Sequence, residues 1–369
     1  MEDIYFFFLI VLSIINIDIK GIKYGNNFYN DYMDLKYINP IKGIFVWLII
    51  LRHYYNYIKN KNYLYIKILY YLGQKIVSLF LFYSGYGIYE SIKKKGTNYA
   101  KTLPKKALIL FIKFQISIFI FFLSNLILRI KLKISRYFLS TIFLSTIGNS
   151  NWFSFTIITF YLYSYFSFVS IKKEKFFLGI VFLNVIIIIH IYLVYNYFYP
   201  KLFYPIDNSL CFILGFYYSL TRKNIDKLLM RDDSYYFTII SSIIVIYFYF
   251  YINKFKGLLY ILMTNCFFCV IVIFISMKIR FNNEFLIFLN SHSFSIYLLQ
   301  RVIMNFVRHK KYFENHEFIR LLFEFTAIIS LSCLFDKIFK IEKLFAKKNK
   351  NHENISFFKY EEIIKLNKI

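Results

Sequence analysis

Long apolar runs divided by short polar loops limit what this chain can fold into more than any other feature. A helix needs about 20 apolar residues, rising 1.5 Å each, to cross the roughly 30 Å hydrocarbon layer of a bilayer. Eleven stretches approach that length: 4–17, 41–58, 69–89, 107–128, 152–171, 177–198, 207–221, 235–252, 258–278, 285–305 and 319–338. Lipid offers no hydrogen bonds to a bare backbone, so such runs predict helices that satisfy their own N–H and C=O groups. The expected fold class is therefore an all-α, polytopic transmembrane protein. Composition agrees, since 59% of the 369 residues are hydrophobic and 18% charged, against roughly 45–50% and 25% in soluble domains. With 11 Gly and 4 Pro, a loop-rich β fold, a collagen-like repeat and a Gly-rich phosphate-loop enzyme are poorly supported.

The run 4–17 follows an acidic start (Glu2, Asp3) and lacks both the basic leader and the small-residue cleavage site of a secretory signal. It is read as a retained helix. Short spans such as 207–221 can still cross with snorkelling flanks.

A net charge of +26, from 46 Lys and Arg against 20 Asp and Glu, would suggest nucleic acid in a soluble protein. Here the basic residues cluster between apolar runs, as in loops that face an anionic leaflet, so no nucleic-acid partner is expected. The loop 90–106 alone carries Lys93, Lys94, Lys95, Lys101, Lys105 and Lys106. Counting such loops puts 18–40, 90–106, 172–176, 222–234, 279–284 and the tail 339–369 on the cytoplasmic side. The opposite loop 129–151 holds Arg129, Lys131, Lys133 and Arg136, so the bias is modest. All four cysteines (Cys211, Cys266, Cys269, Cys333) lie in apolar runs, which favours packing over a disulfide framework or a zinc site. No His, Cys, Asp and Glu spacing suggests a metal.

Ionisable groups inside a span are costly, at least ~2.5–3.5 kcal/mol for Arg or Lys near its centre, and are functional candidates by default. The stretch Pro40 to Tyr57 concentrates them in Lys42, Arg52 and His53. From Lys42 to His53 the helix turns about three times and rises roughly 16 Å, so both side chains share one face. On the expected boundaries Lys42 lies at the cytoplasmic headgroup level and His53 about halfway across. Such a stripe can hold a phosphate-bearing molecule at one end and move a proton at the other, histidine being basic near neutrality. A histidine satisfied by a neighbouring helix, with Arg52 snorkelling, is the structural alternative. The next span ends Tyr83-Ser84-Gly85-Tyr86-Gly87, whose small residues suit either close helix packing or close approach of a ligand. His190 and His292 are expected to be satisfied helix-facing residues, Lys113 to snorkel or to line a donor site, and Glu324 to pair with Arg301 or Arg320.

Lys42 and His53, then Ser84-Gly85 and a basic loop, then Asn151-Trp152-Phe153, then Ser293-Phe-Ser295-Ile-Tyr297-Leu-Leu-Gln300, in this order resemble the acyltransferase 3 family of integral membrane O-acyltransferases of bacterial surface glycans. The resemblance covers about residues 36–338. It implies a ten-helix core, with 1–35 as an extra N-terminal helix and cytoplasmic loop, and 339–369 as a basic cytoplasmic tail. It also implies transfer of an acyl group, usually acetyl, from acyl-coenzyme A as donor substrate to a hydroxyl of a cell-surface polysaccharide or lipid-linked sugar, in a multi-pass bacterial plasma membrane protein with no bound cofactor. His53 matches the family's essential histidine, Lys42 a basic position that is usually Arg, and Ser84-Gly85 its Ser-Gly motif. Lysine presents a point charge in place of a bidentate fork. Gln300 stands where the late motif often carries His, and it cannot titrate.

In that scheme His53 acts as general base, either on the acceptor hydroxyl or in an acyl-enzyme step with Ser84 as a possible nucleophile. Lys42, Lys105 and Lys106 attract the coenzyme A phosphates. Arg52, Tyr297 and Gln300 are candidates for stabilising an oxyanion. The rival class is a transporter or flippase for a glycan or anionic solute, using the same intramembrane cations, although the sequence shows neither an internal repeat nor matched Pro/Gly-broken helices.

Overall fold

The computed structural model describes residues 11, 16–20, 27–54, 64–198, 204–251, 257–308 and 319–339. Of the predicted N-terminal helix 4–17 only positions 11, 16 and 17 fall among these, and the tail lies outside them from residue 340 onward. The described chain is almost entirely helical, which bears out the all-α class. The long helices are α1 (Leu35–Tyr54), α2 (Leu64–Lys95), α3 (Leu103–Ile127), α4 (Trp152–Phe168), α5 (Phe176–Phe198), α6 (Ser209–Leu229), α7 (Asp232–Tyr251), α8 (Leu258–Lys278), the short α9 (Glu284–Ser291), α10 (Ser293–Arg308) and α11 (319–339).

Among the boundaries that differ from expectation, two have clear local reasons. The helix predicted from 41 begins at Leu35, with Pro40 inside it. Proline cannot bond the carbonyl four residues back, but that residue, Lys36, lies in an exposed first turn where water can serve. The single span predicted over 285–305 is broken at His292, between α9 and α10. Ser291-His292-Ser293 is a weak helical run, and the Ser291 hydroxyl donates back to the Phe288 carbonyl (2.7 Å), which competes with helix continuation. Asn283 starts α9 as its cap, its Oδ1 accepting the N–H groups of Phe285 (2.9 Å) and Leu286 (3.2 Å).

The helices divide their faces as a lipid environment requires. On α3 a stripe of Leu108, Ile112, Phe119, Leu123 and Leu126 is exposed, while Ala107, Phe114, Ile118, Phe121 and Asn125 are buried. On α5 the buried stripe is Ile180, Leu183, Ile187, His190 and Val194, with large apolar residues exposed opposite. Among the described residues, three helical segments, Thr97–Ile127, Lys173–Tyr197 and Leu258–Lys278, are long and apolar enough to cross a membrane. Such wide apolar outer faces would be an aggregation hazard in water and match a hydrocarbon solvent.

Loops assigned to one side by their charge meet at one end of the bundle. β1 (Ile17–Ile19) pairs antiparallel with β2 (Ile279–Phe281), Ile17 opposite Phe281. Arg222, in the second half of α6, donates to the Asn30 carbonyl (2.7 Å), and Lys93 donates to the Ser219 carbonyl (2.9 Å). Tyr32 contacts the Tyr218 hydroxyl and donates to Asp226 (2.6 Å). Burial, with the Asp226 hydrogen bond adding to it, pushes the Tyr32 phenol well above its ordinary value, so it remains a donor.

The most extensive helix contact joins α2 to α6. It is made possible by Gly85 and Gly215: a Cβ at Gly85 would strike the Phe212 carbonyl oxygen, and one at Gly215 would strike the carbonyl of Phe82. Such backbone-to-backbone approach is how helices gain dispersion contact in lipid, where apolar burial itself drives nothing.

Candidate active site

Six helices enclose a cavity of about 200 Å³. From α1 it takes Lys42, Val46 and Ile49, and from α2 Val77, Phe80 and Ser84. Both sets follow the 3–4 spacing of one helix face. Phe153, Ile157 and Tyr161 of α4, spaced four apart, form a third wall, with Leu110 of α3, Asn290 of α9, and Ser293, Phe294, Ile296 and Tyr297 of α10 completing it. The walls are apolar with a few polar groups set among them, as in small-molecule sites generally.

Lys42, Ser84 and Tyr297, predicted from three motifs far apart in the chain, thus line one cavity, and Phe153 of a fourth motif joins them. Lys42 lies in the wall of this cavity, and α1 starts two turns before it. It makes no ion pair among the described residues, and its Nζ lies 5.3 Å from the Tyr83 ring centre. A cation held in an apolar wall without a carboxylate is costly unless something anionic comes to it. The Tyr297 hydroxyl oxygen accepts the Phe153 N–H (3.3 Å), and its ring meets those of Phe153 and Trp152 edge-on, at 5.1 and 6.5 Å between centres. Ser84 faces the Tyr161 phenol.

His53 continues the cavity stripe of α1. Residues 42, 46, 49 and 53 recur at the same 3–4 spacing, so its ring stands one turn, about 6 Å, beyond Ile49. It is half-buried and lies in the last described turn of the helix. The charged groups acting on it are the guanidinium groups of Arg301 and Arg52. Arg301 is held by the Asn149 carbonyl (3.4 Å) and the Ser150 hydroxyl (3.3 Å). Arg52 runs across Gly73 of α2, where an added Cβ would meet its Nε at 2.7 Å.

The remaining predicted residues lie elsewhere. Gly85 points into the α2–α6 contact, away from the cavity. Gln300 is fully buried behind Tyr297, with its Nε2 3.5 Å from the Tyr297 carbonyl. Lys105 and Lys106 are exposed at the start of α3, where Lys106 donates to the Tyr99 hydroxyl (2.9 Å). Lys113 is not among the lining residues: it pairs with Asp336 (2.6 Å). Glu324 pairs with Arg320 (2.9 Å), and His190 bonds the Tyr163 hydroxyl through Nδ1 (3.1 Å), while its buried Nε2 has no partner among the described residues. Tyr161, Asn290, Arg301 and Asp336 were not singled out as site residues from the sequence. Arg301 and Asp336 carried a usable signal, each being an ionisable group inside an apolar run. Tyr161 looks like any other tyrosine in a chain that has 36 of them.

Comparison with known proteins supplies one match. The family model described as an acyltransferase domain, that of the acyltransferase 3 family, aligns with residues 35–336. No curated protein and no solved structure matches the chain. The aligned range runs from the first residue of α1 to Asp336 of α11, and so takes in every wall of the cavity. With most of its length matched, the chain belongs to the acyltransferase 3 family and is an acyltransferase.

Proposed function

We propose that the protein is an integral membrane O-acyltransferase that moves an acyl group, acetyl in the simplest case, from acyl-coenzyme A to a hydroxyl of a cell-surface polysaccharide or lipid-linked sugar. In this reading a ten-helix core with one further N-terminal helix sits in the bacterial plasma membrane with its tail in the cytoplasm. The observation that carries it is Lys42, a cation without an acidic partner among the described residues, in an apolar cavity that Ser84 and Tyr297 share and that His53 adjoins.

The donor enters from the end where the basic loops gather, with Lys105 and Lys106 raising the local concentration of its phosphates. A cavity of about 200 Å³ is below the roughly 300–1,000 Å³ of drug-sized sites, so it holds the thioester end and leaves the nucleotide outside. Lys42 attracts the anionic donor toward the cavity. The acceptor hydroxyl approaches from the Arg301 end, His53 takes its proton, and the oxygen attacks the thioester carbonyl. The C–S bond then breaks, the thiol leaves with a proton, and the ester remains on the acceptor. Tyr297 suits the oxyanion: its oxygen already accepts from Phe153, which turns its own O–H toward another acceptor. Direct transfer is favoured over a Ser84 ester because Ser84 faces a phenol and not a base.

The test is acceptor-dependent thiol release from acetyl-coenzyme A by the detergent-purified protein, with surface-glycan ester content compared between cells with and without the intact gene. No release and unchanged ester content would reject the reading. Lys42→Met is expected to raise the donor KM about tenfold, near 1.4 kcal/mol, while Lys42→Arg keeps it near wild type. Initial rates over a range of donor concentrations check both.

A further inference from the structure

Asp336 of α11 uses one carboxylate to hold three donors from two other parts of the fold. Its Oδ1 takes the Lys113 ammonium of α3 (2.6 Å) and the Ser295 hydroxyl of α10 (2.6 Å). Its Oδ2 takes Nδ1 of His292 (2.7 Å), the residue at the α9–α10 break. The cluster is well shielded, with side-chain exposures of 17% for Lys113, 13% for His292 and 11% for Asp336. The Lys113 ammonium also lies over the rings of Phe335 and Phe339, at 6.0 and 5.1 Å.

These partners are interleaved with the cavity wall. Leu110, one turn before Lys113, lines the cavity on α3. On α10 the lining residues Ser293, Phe294 and Ile296 alternate with His292 and Ser295. The helix is broken at this point, so its first turn has no continuous backbone ladder from α9 to hold it in register. We propose that Asp336 is a positioning residue for the acyl-transfer cavity: by gripping Lys113, His292 and Ser295 together it fixes the separation of the α3 and α10 walls and thus the placement of Tyr297. This rests on the cavity being the site of acyl transfer.

The grip sets the Lys113 ammonium against the Asp336 carboxylate, and it is mechanical in role. Misplacement of reacting groups by about 1 Å can cost on the order of a hundredfold in rate, so a small relaxation of this wall is enough to register. A buried pair can often be exchanged for apolar residues of similar volume with little loss of stability. That separates positioning from mere support.

The decisive variant is Lys113→Met with Asp336→Leu, because Asp336→Asn alone strands a buried ammonium and risks misfolding. Expected are an unfolding temperature within about 4 °C of wild type, a kcat/KM for acetyl-coenzyme A at least about tenfold lower, and faster hydrogen exchange at the backbone amides of 290–297. Asp336→Glu, which keeps all three donors within reach, should recover part of the loss. A double variant with wild-type kcat/KM, or one whose amides at 290–297 exchange as in wild type, overturns the proposal. If the wild type itself releases no thiol and is not stabilised by coenzyme A, it is the acyl-transfer reading that fails. The exchange measurement then decides on its own whether Asp336 holds the wall.

Discussion

Replacing His53 by alanine is expected to lower acceptor-dependent thiol release by about 10²–10⁴-fold, the usual contribution of a positioned general base. At about 1.36 kcal/mol per factor of ten this is roughly 3–5 kcal/mol of lost transition-state stabilisation. The loss should fall on kcat, because His53 stands a turn beyond the cavity that takes the donor and acts only when the hydroxyl is attacked. Donor KM should change little. Stability should be kept, since no hydrogen bond to the ring from another described helix is found and the residue is only half-buried. Rates measured with His53→Ala and His53→Gln beside wild type, together with thermal unfolding, check this. A variant that keeps wild-type kcat would remove His53 from the mechanism.

Gly85→Leu is expected to abolish accumulation of folded protein, and Gly85→Ala to destabilise it at or above the roughly 1–3 kcal/mol typical of overpacking. The added carbon would overlap a backbone carbonyl, and no side-chain rotation relieves that. Gly87, two residues on, is the internal control. A Cβ there meets nothing within 4 Å, and alanine is favoured over glycine in a helix by about 1 kcal/mol. Gly87→Ala should therefore be neutral or stabilising. Heating the detergent-solubilised variants and measuring the fraction that remains monodisperse by gel filtration separates the two positions. Equal behaviour would mean that α2 and α6 do not meet as described.

The class of fold was legible because it depends on summed local chemistry. Apolar runs of the right length predict helices in lipid wherever their neighbours fall, and α8 occupies the predicted 258–278 residue for residue. The shared face of Lys42 and His53 was legible for the same reason, the 3.6-residue period being a property of the backbone. The division of labour in Ser84-Gly85 was not. Adjacent residues on a helix point about 100° apart, and only the position of α6 shows that Gly85 serves packing while Ser84 lines the cavity.

Surroundings and partnership were also out of reach of a local reading. The helix of Lys42 was expected to start at 41 and starts six residues earlier, through Pro40; only the packing of five other helices around it shows that Lys42 faces a cavity. Lys113 and Asp336 are 223 positions apart, and nothing local to either says that a salt bridge joins them. The broken span at His292 belongs to the same group, because a Ser-His-Ser run only permits a break that Asp336 then holds in place.

The sequence by itself determined that this chain is a bundle of membrane-length helices with a basic-to-histidine stripe on one of them, since hydropathy and helical period act within a few residues. Tertiary structure alone decided which motifs meet in one cavity, that Lys42 sits there without an acidic partner among the described residues, and that one carboxylate binds two of the cavity's walls. Those outcomes depend on contacts between residues tens to hundreds of positions apart, where the geometry of packing, not the order of the chain, sets who the neighbours are.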